Sequence, residues 1–197
     1  CNLAGIVHHG LSPLRYSLGT GRRGDLVFIG RMTDQKRPDR AIRLARASGL
    51  RLKLAGTIDA GNPTYFDRFV APYLGDGIEY VGSVGDAEKQ QLLGDAAAIL
   101  FPVDWQEPFG LVMIEAMACG TPVIGWNNGS VPEVLEEGIT GYVVDNEEQA
   151  LRAIGEAVRL PRPLIRERFE NRFTSHRMAC DYEAIYAAAS VGTVRGD

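Results

Sequence analysis

The sequence predicts a parallel, doubly wound α/β sheet. Short apolar runs alternate with helix-like segments about six times along the 197 residues. Every connection between them is short, and the first clear run, "DLVFIG", is a compact β-branched stretch of the kind found in buried strands. Together these argue for strands laid parallel with helices crossing over them. The composition, 45% hydrophobic and 23% charged, is that of an ordinary globular domain with enough length for a full core. No internal repeat of solenoid period is present.

In order along the chain, residues 1–24 are rich in Gly, Ser and Arg and end in "GTGRRGD". They read as a short strand, Gly5–His8, and a linker. "DLVFIG" is the first core strand. "PDRAIRLARASG" follows as a helix, with Pro38 at its start, Gly49 at its stop, and Ala41, Ile42, Leu44 and Ala45 on one face. "LRLKLAG" reads as strand, "PTYFDRFVAPYLG" as a short helix and "IEYVG" as strand. "DAEKQQLLGDA" is a helix with Asp86 as its expected N-cap, and "AAILFP" is a strand. A helix runs from about Phe109 to Cys119, with Gly120 at the C′ position and Pro122 beyond it. "PVIGW" (strand), "VPEVLEEG" (helix) and "GYVV" (strand) come next. "NEEQALRAIGEAVRL" and Thr174 to Ala189 are the last helices, and "SVGTVRGD" frays.

The net charge of −4 and pI of about 5.5 show no general nucleic-acid footprint. A phosphate ligand must therefore be held by a few placed cations and backbone N–H groups. Cys1, Cys119 and Cys180 are far apart, without CxxC or a His/Cys cluster. They read as reduced thiols rather than a zinc site. No run is long enough to span a membrane. The N-terminus lacks a basic n-region and an initiator Met, so the chain reads as starting inside a longer protein. His8, His9 and His176 have no recognisable nucleophile partner and read as structural.

In doubly wound sheets ligands sit outside the carboxyl ends of the strands. Two loops suit that place. In "GRMTDQK", Gly30 lets the backbone turn closely, and Arg31 and Lys36 put a forked donor and a mobile point charge at one strand end. A diphosphate needs such a pair; a solvated basic loop is the competing reading. In "EPFGLVMIEAMACGTPVI", a glutamate sits inside an otherwise apolar run. The first N–H groups of that helix, from Gly110, Leu111 and Val112, favour an anion. Glu107 stands beside that place and accepts hydrogen bonds from polyhydroxyl groups. Glu115 lies about 7 Å further along the axis, roughly a ribose's distance from a distal phosphate. Two ribose hydroxyls would satisfy its buried carboxylate; a structural ion pair is the competing reading.

At these residues the sequence resembles a known family. "EPFGLVMIE" is similar to the E-x7-E motif of retaining GT-B glycosyltransferases, with Glu107 and Glu115 as its ends. "EAMACGTPVI" and "GSVPEVLEEGITGYVV" resemble the signature of glycosyltransferase family 4, or group 1. "FIGRMTDQK" resembles its donor-phosphate loop, and "VGSVGDAEKQQLL" its nucleobase-contacting segment. The resemblance implies a Rossmann-like domain, the C-terminal, donor-binding half of a GT-B fold. It implies that Gly30, Arg31 and Lys36 hold the donor diphosphate and that Glu107 binds the transferred sugar. Phe109, Gly110, Leu111 and Val112 would offer main-chain N–H groups, and Glu115 would bind ribose. Val84 and the main chain of Ser83 would lie at the base, with Lys89 near the phosphates. Glu107, Arg31 and Lys36 are the residues it assigns to catalysis.

The implied division is residues 1–24 as interdomain passage, 25–173 as nucleotide-sugar domain, and 174–197 as crossover helix and tail. The acceptor-binding N-terminal domain would be missing from this chain. The implied partner is a nucleotide sugar donor, with no cofactor and no metal, because cations stand in for a divalent ion and no DxD motif is apparent. A cytoplasmic location is expected, with any contact at the inner membrane made through the missing domain. Three positions depart from the family pattern. Arg37 follows Lys36 where glycine is frequent, "WNNGS" replaces a double glycine, and Trp105 stands in the loop before the motif, where it either lines the sugar pocket or packs. A nucleotide-binding module without activity and a GT-B sugar phosphorylase remain alternatives.

Overall fold

The computed structural model describes residues 5–192. Its strands are β1 (Leu26–Ile29), β2 (Leu52–Ala55), β3 (Ile78–Gly82), β4 (Ala98–Phe101), β5 (Val123–Trp126) and β6 (Gly141–Val144). Between and after them run α1 (Pro38–Ser48), α2 (Pro63–Phe69), a 3-10 turn (Ala71–Tyr73), α3 (Asp86–Asp95), α4 (Leu111–Ala118), α5 (Val131–Val134), α6 (Glu147–Ala157), α7 (Arg162–Arg172) and α8 (Ser175–Gly192). The six strands form one parallel sheet in the order β3-β2-β1-β4-β5-β6. This is the Rossmann-like order, with its reversal between β1 and β4.

Side-chain alternation along the strands divides the core into two layers. Leu26, Phe28, Leu52, Leu54, Ala98 and Leu100 face α1 and α6, where they meet Ile42, Leu44 and Ile154. Ile99, Phe101 and Val123 face the other way, onto Met113 and Ile114 of α4 and Ile165 and Phe169 of α7. β4 and β5 are buried at every position, as central parallel strands are. The caps of α1 follow the sequence: Pro38 lies in the first turn and Gly49 closes the helix at φ 70°. Gly120 stands just past α4 at φ 67°, where a Cβ would come within 2.7 Å of the Arg162 carbonyl.

Three expectations change. Gly5–His8 is not a strand. Gly5 packs against Ile185, and the His8 and His9 carbonyls accept from the Arg177 guanidinium instead of a neighbouring strand. The segment makes a single bridge further on, between Leu11 and Thr174. Asp86 is not the N-cap of α3 but its first residue. Gly85 is the cap, and its N–H donates to the Glu88 carboxylate at 2.8 Å. Finally, α7 had no counterpart in the sequence reading. It is strongly polar, yet Ile165 and Phe169 are fully buried, with Phe173 continuing the same spacing.

The C-terminal helices bind the segment before β1 through arginines. Arg166 of α7 donates to the carbonyls of Tyr16 and Ala118 at 2.6 Å and of Pro13 at 2.7 Å. Arg162 donates to Gly19 at 3.1 Å and Ala96 at 2.9 Å. Backbone carbonyls that have no ladder partner are satisfied in this way.

Candidate functional site

The loop after β1 brings its cations to the carboxyl end of the sheet. Gly30 donates its N–H to the Ala55 carbonyl at 2.9 Å. The steric demand falls on its neighbour: a Cβ on Gly56, at φ 138°, would stand 1.9 Å from the Gly30 carbonyl oxygen. Arg31 is exposed, and its guanidinium has no partner among the described residues. Lys36 is drawn inward, its ammonium 5.7 Å from the Phe101 ring centre and 5.0 Å from that of Trp105. It pairs with Oε2 of Glu107.

The residue after Lys36 explains one departure from the family pattern. Arg37 has left-handed backbone, φ 55° and ψ 51°. Glycine takes that conformation freely, and an arginine is strained in it. Its guanidinium compensates by bonding Asp39 at 2.9 Å and Asp104 at 2.6 Å. Asp39 also accepts from Tyr65 at 2.6 Å and Arg43 at 2.7 Å. Burial by itself would raise the Asp39 carboxyl. The bonds from Arg37, Tyr65 and Arg43 together outweigh it and hold the group well below the usual carboxylate range.

The second loop precedes α4. Gly110 is the cap at φ 75°, and a Cβ there would meet the Phe101 ring at 3.0 Å. Lys36 and the start of α4 therefore border the same ring. The N–H groups of Leu111 and Val112 have no acceptor among the described residues, whereas Met113 already donates to Gly110 at 2.9 Å. Phe109 is buried and edge-on to His9, with ring centres 4.9 Å apart. Glu107 is 7% exposed, and its Oε2 accepts from the Trp105 indole N–H at 2.8 Å as well as from Lys36. Its backbone is fixed from outside. The Ser130 N–H donates to the Glu107 carbonyl at 2.9 Å. Gly129, at φ 60°, comes so close that a Cβ would lie 2.3 Å from that oxygen. The Asn128 side chain holds the Val103 carbonyl at 2.8 Å. That is the work of "WNNGS" in this chain.

Glu115 points from α4 to a different pair. Lys89 of α3 donates to its two oxygens at 2.9 and 3.1 Å, and the Tyr16 hydroxyl donates to Oε1 at 3.1 Å. Tyr16 is 2% exposed. Burial, then the negative charge of Glu115, push its phenol above the ordinary value, so it stays a donor. Sequence reasoning missed Tyr16, because it lies in a segment read as linker; an aromatic residue among Gly, Ser and Arg was the one available signal.

Val84, expected at the base, stands just before α3. It lines a separate hollow of about 190 Å³ with Val27, Lys53, Val81 and Glu88, which neither Lys36, Glu107 nor Glu115 lines. Ser83 is exposed beside it in the chain. His8 lies 3.5 Å from Glu133 and packs against Phe109 and Phe173. Burial pushes the Cys119 thiol up to about 12. Among the described residues no group of three or more His, Cys, Asp or Glu could hold a metal ion, and no helix is long and apolar enough to cross a membrane.

A family model for glycosyl transferases group 1 matches residues 18–174. The chain belongs to the glycosyl transferases group 1 family. A relative in Mycobacterium sp. (strain KMS), described as a D-inositol 3-phosphate glycosyltransferase, is 33% identical over 139 residues, 68% of this chain and 32% of that protein. AviGT4, a glycosyltransferase involved in avilamycin A biosynthesis, superposes with a TM-score of 0.81 at 29% identity, covering 95% of this chain and 58% of that one. HepE of Anabaena, solved in complex with UDP and glucose, superposes with a TM-score of 0.81 at 16% identity over 93% of this chain and 56% of that one, a likeness of fold alone. The chain spans about a third or less of the curated relatives it matches and somewhat over half of these solved chains.

Proposed function

We propose that this chain is the donor-binding, C-terminal domain of a retaining GT-B glycosyltransferase, which passes a sugar from a nucleotide diphosphate sugar to a hydroxyl acceptor. The observation that carries the reading is the pairing of two buried glutamates, Glu107 and Glu115, each with its own lysine, around the start of α4. A buried carboxylate costs free energy unless it is paired. Two of them placed at the carboxyl end of a doubly wound sheet fit a ligand that is part anion and part polyol.

In this reading Arg31, Lys36 and the free N–H groups of Leu111 and Val112 receive the diphosphate. They stabilise the negative charge that grows on it as the bond to the sugar breaks. Glu107 positions the sugar and Glu115 takes the ribose hydroxyls. Lys89 moves from Glu115 towards the phosphates, which frees lone pairs on the carboxylate for ribose. The chemistry asks for no cofactor and no metal, since cations and helix N–H groups face the leaving group. The acceptor site belongs to a further domain outside this chain. The segment 5–24 and α8, which lie together, form the passage to it. HepE, crystallised with UDP and glucose, supports a uridine donor as the first to try.

A second reading is a nucleotide-binding module without activity of its own. The test is a thermal-shift panel of this chain with UDP, GDP, ADP and their sugars, repeated on Glu115→Ala. A shift with one base, lost in the variant, is the expected result. A shift that the variant keeps would remove Glu115 from the site.

A further inference from the structure

We infer that Trp105 is a positioning residue for the sugar: it fixes which oxygen of Glu107 is left to read the transferred hexose. This rests on the donor-site reading above and goes beyond it. Trp105 lies two residues before Glu107, half-buried at the carboxyl end of the sheet. Its indole N–H donates to Oε2 of Glu107 at 2.8 Å, and the Lys36 ammonium donates to the same oxygen. The same ring lies 5.0 Å from that ammonium, so one side chain holds both members of the ion pair. Oε1 receives no donor among the described residues, and it is not among the buried polar atoms sealed without a partner. One oxygen of the carboxylate is thus doubly occupied while the other is open. A carboxylate that could rotate freely would offer either oxygen to a hydroxyl. This one offers Oε1 in one orientation, which is the condition for discriminating between sugars that differ in the direction of a single hydroxyl. The Ser130 N–H bond and the close approach of Gly129 fix where Glu107 sits, and Trp105 fixes how its carboxylate is turned.

The test replaces Trp105 by 3-benzothienylalanine, which keeps the shape of the ring and removes the N–H, with Trp105→Phe as a second variant. Calorimetry on this chain gives the affinity for UDP, GDP and ADP and for their glucose esters; the ratio of ester to diphosphate is the sugar increment. The expected result is unchanged diphosphate affinity with the glucose increment reduced roughly tenfold, the scale of one charge-assisted hydrogen bond. A full increment in the benzothienyl variant overturns the inference, and so does an equal loss in diphosphate and ester, which would mark Trp105 as packing only. A parent chain that binds diphosphate with no sugar increment removes Glu107 from the sugar, and the inference with it. A parent chain that binds no diphosphate overturns the donor-site reading itself.

Discussion

Glu107 and Glu115 have the same exposure, 7%, and each bonds a lysine, yet they are held in opposite ways. Glu115 sits in the second turn of α4, where the helix fixes its backbone. Only its side chain needs orienting, and Tyr16 and Lys89 do that from elsewhere in the chain. Glu107 sits in a loop before the helix, so its backbone must be held as well. Gly129 and Ser130 clamp the backbone and Trp105 and Lys36 clamp the carboxylate. A carboxylate on a helix is cheap to place and takes its precision from a distant partner. One on a loop takes its precision from a second loop packed against it.

The largest effect that separates the two should come from Gly129→Ala. Its Cβ would enter the Glu107 backbone at a left-handed position, costing roughly 2–4 kcal/mol of stability. Chemical denaturation measures this, and a change under 1 kcal/mol would mean that the Glu107 loop yields easily. Next come the glutamates themselves. Glu115→Ala should weaken nucleoside diphosphate binding by roughly 1.5–3 kcal/mol, whereas Glu107→Ala should spare the diphosphate and lose the sugar increment. Equal losses in calorimetry would mean that the two glutamates do not divide nucleotide from sugar. Tyr16→Phe removes one hydrogen bond to Glu115 and should cost about 1 kcal/mol in stability, read from the same denaturation curves.

The smallest effect concerns the acid limb. Asp39 has a folded pKa below its unfolded one, so its contribution is present above the ordinary carboxylate value and is lost as pH falls towards the folded value. The stability gap between the parent and Asp39→Asn should therefore be constant near neutrality and shrink below about pH 4. A gap that stays constant down to pH 2 would show that the Arg37, Tyr65 and Arg43 bonds do not favour the charged form.

The parts of this molecule that were legible in sequence are those set by neighbours in the chain. All six core strands, α1 with its Pro38 and Gly49, and the end of α4 at Gly120 follow from local pattern. So does the placing of Lys36 and Glu107 in loops at the strand ends; the ion pair that joins them does not. What could not be read depends on long-range geometry. Tyr16 meets Glu115 across 99 positions of chain, and no periodicity announces such a contact. α7 was hidden because four of its eleven residues are arginines, which in other helices would face water. Here Arg162 and Arg166 turn inward to carbonyls, and Ile165, Phe169 and Phe173 carry the buried apolar signal. The glycine that matters beside Gly30 is Gly56, just past the end of β2.

The arginine clamp on the segment before β1 has a mechanical consequence. Gly5 rests against Ile185 of α8, Leu11 bridges Thr174, and Tyr16 ends the same stretch at Glu115. The Arg177 bonds tie that segment to α8, the Arg166 bonds tie it to α7, and the bridge at Leu11 joins it to Thr174 between the two helices. The Tyr16 hydroxyl is where the segment meets the candidate site. The segment therefore runs like a tendon from α8 to the Glu115 carboxylate.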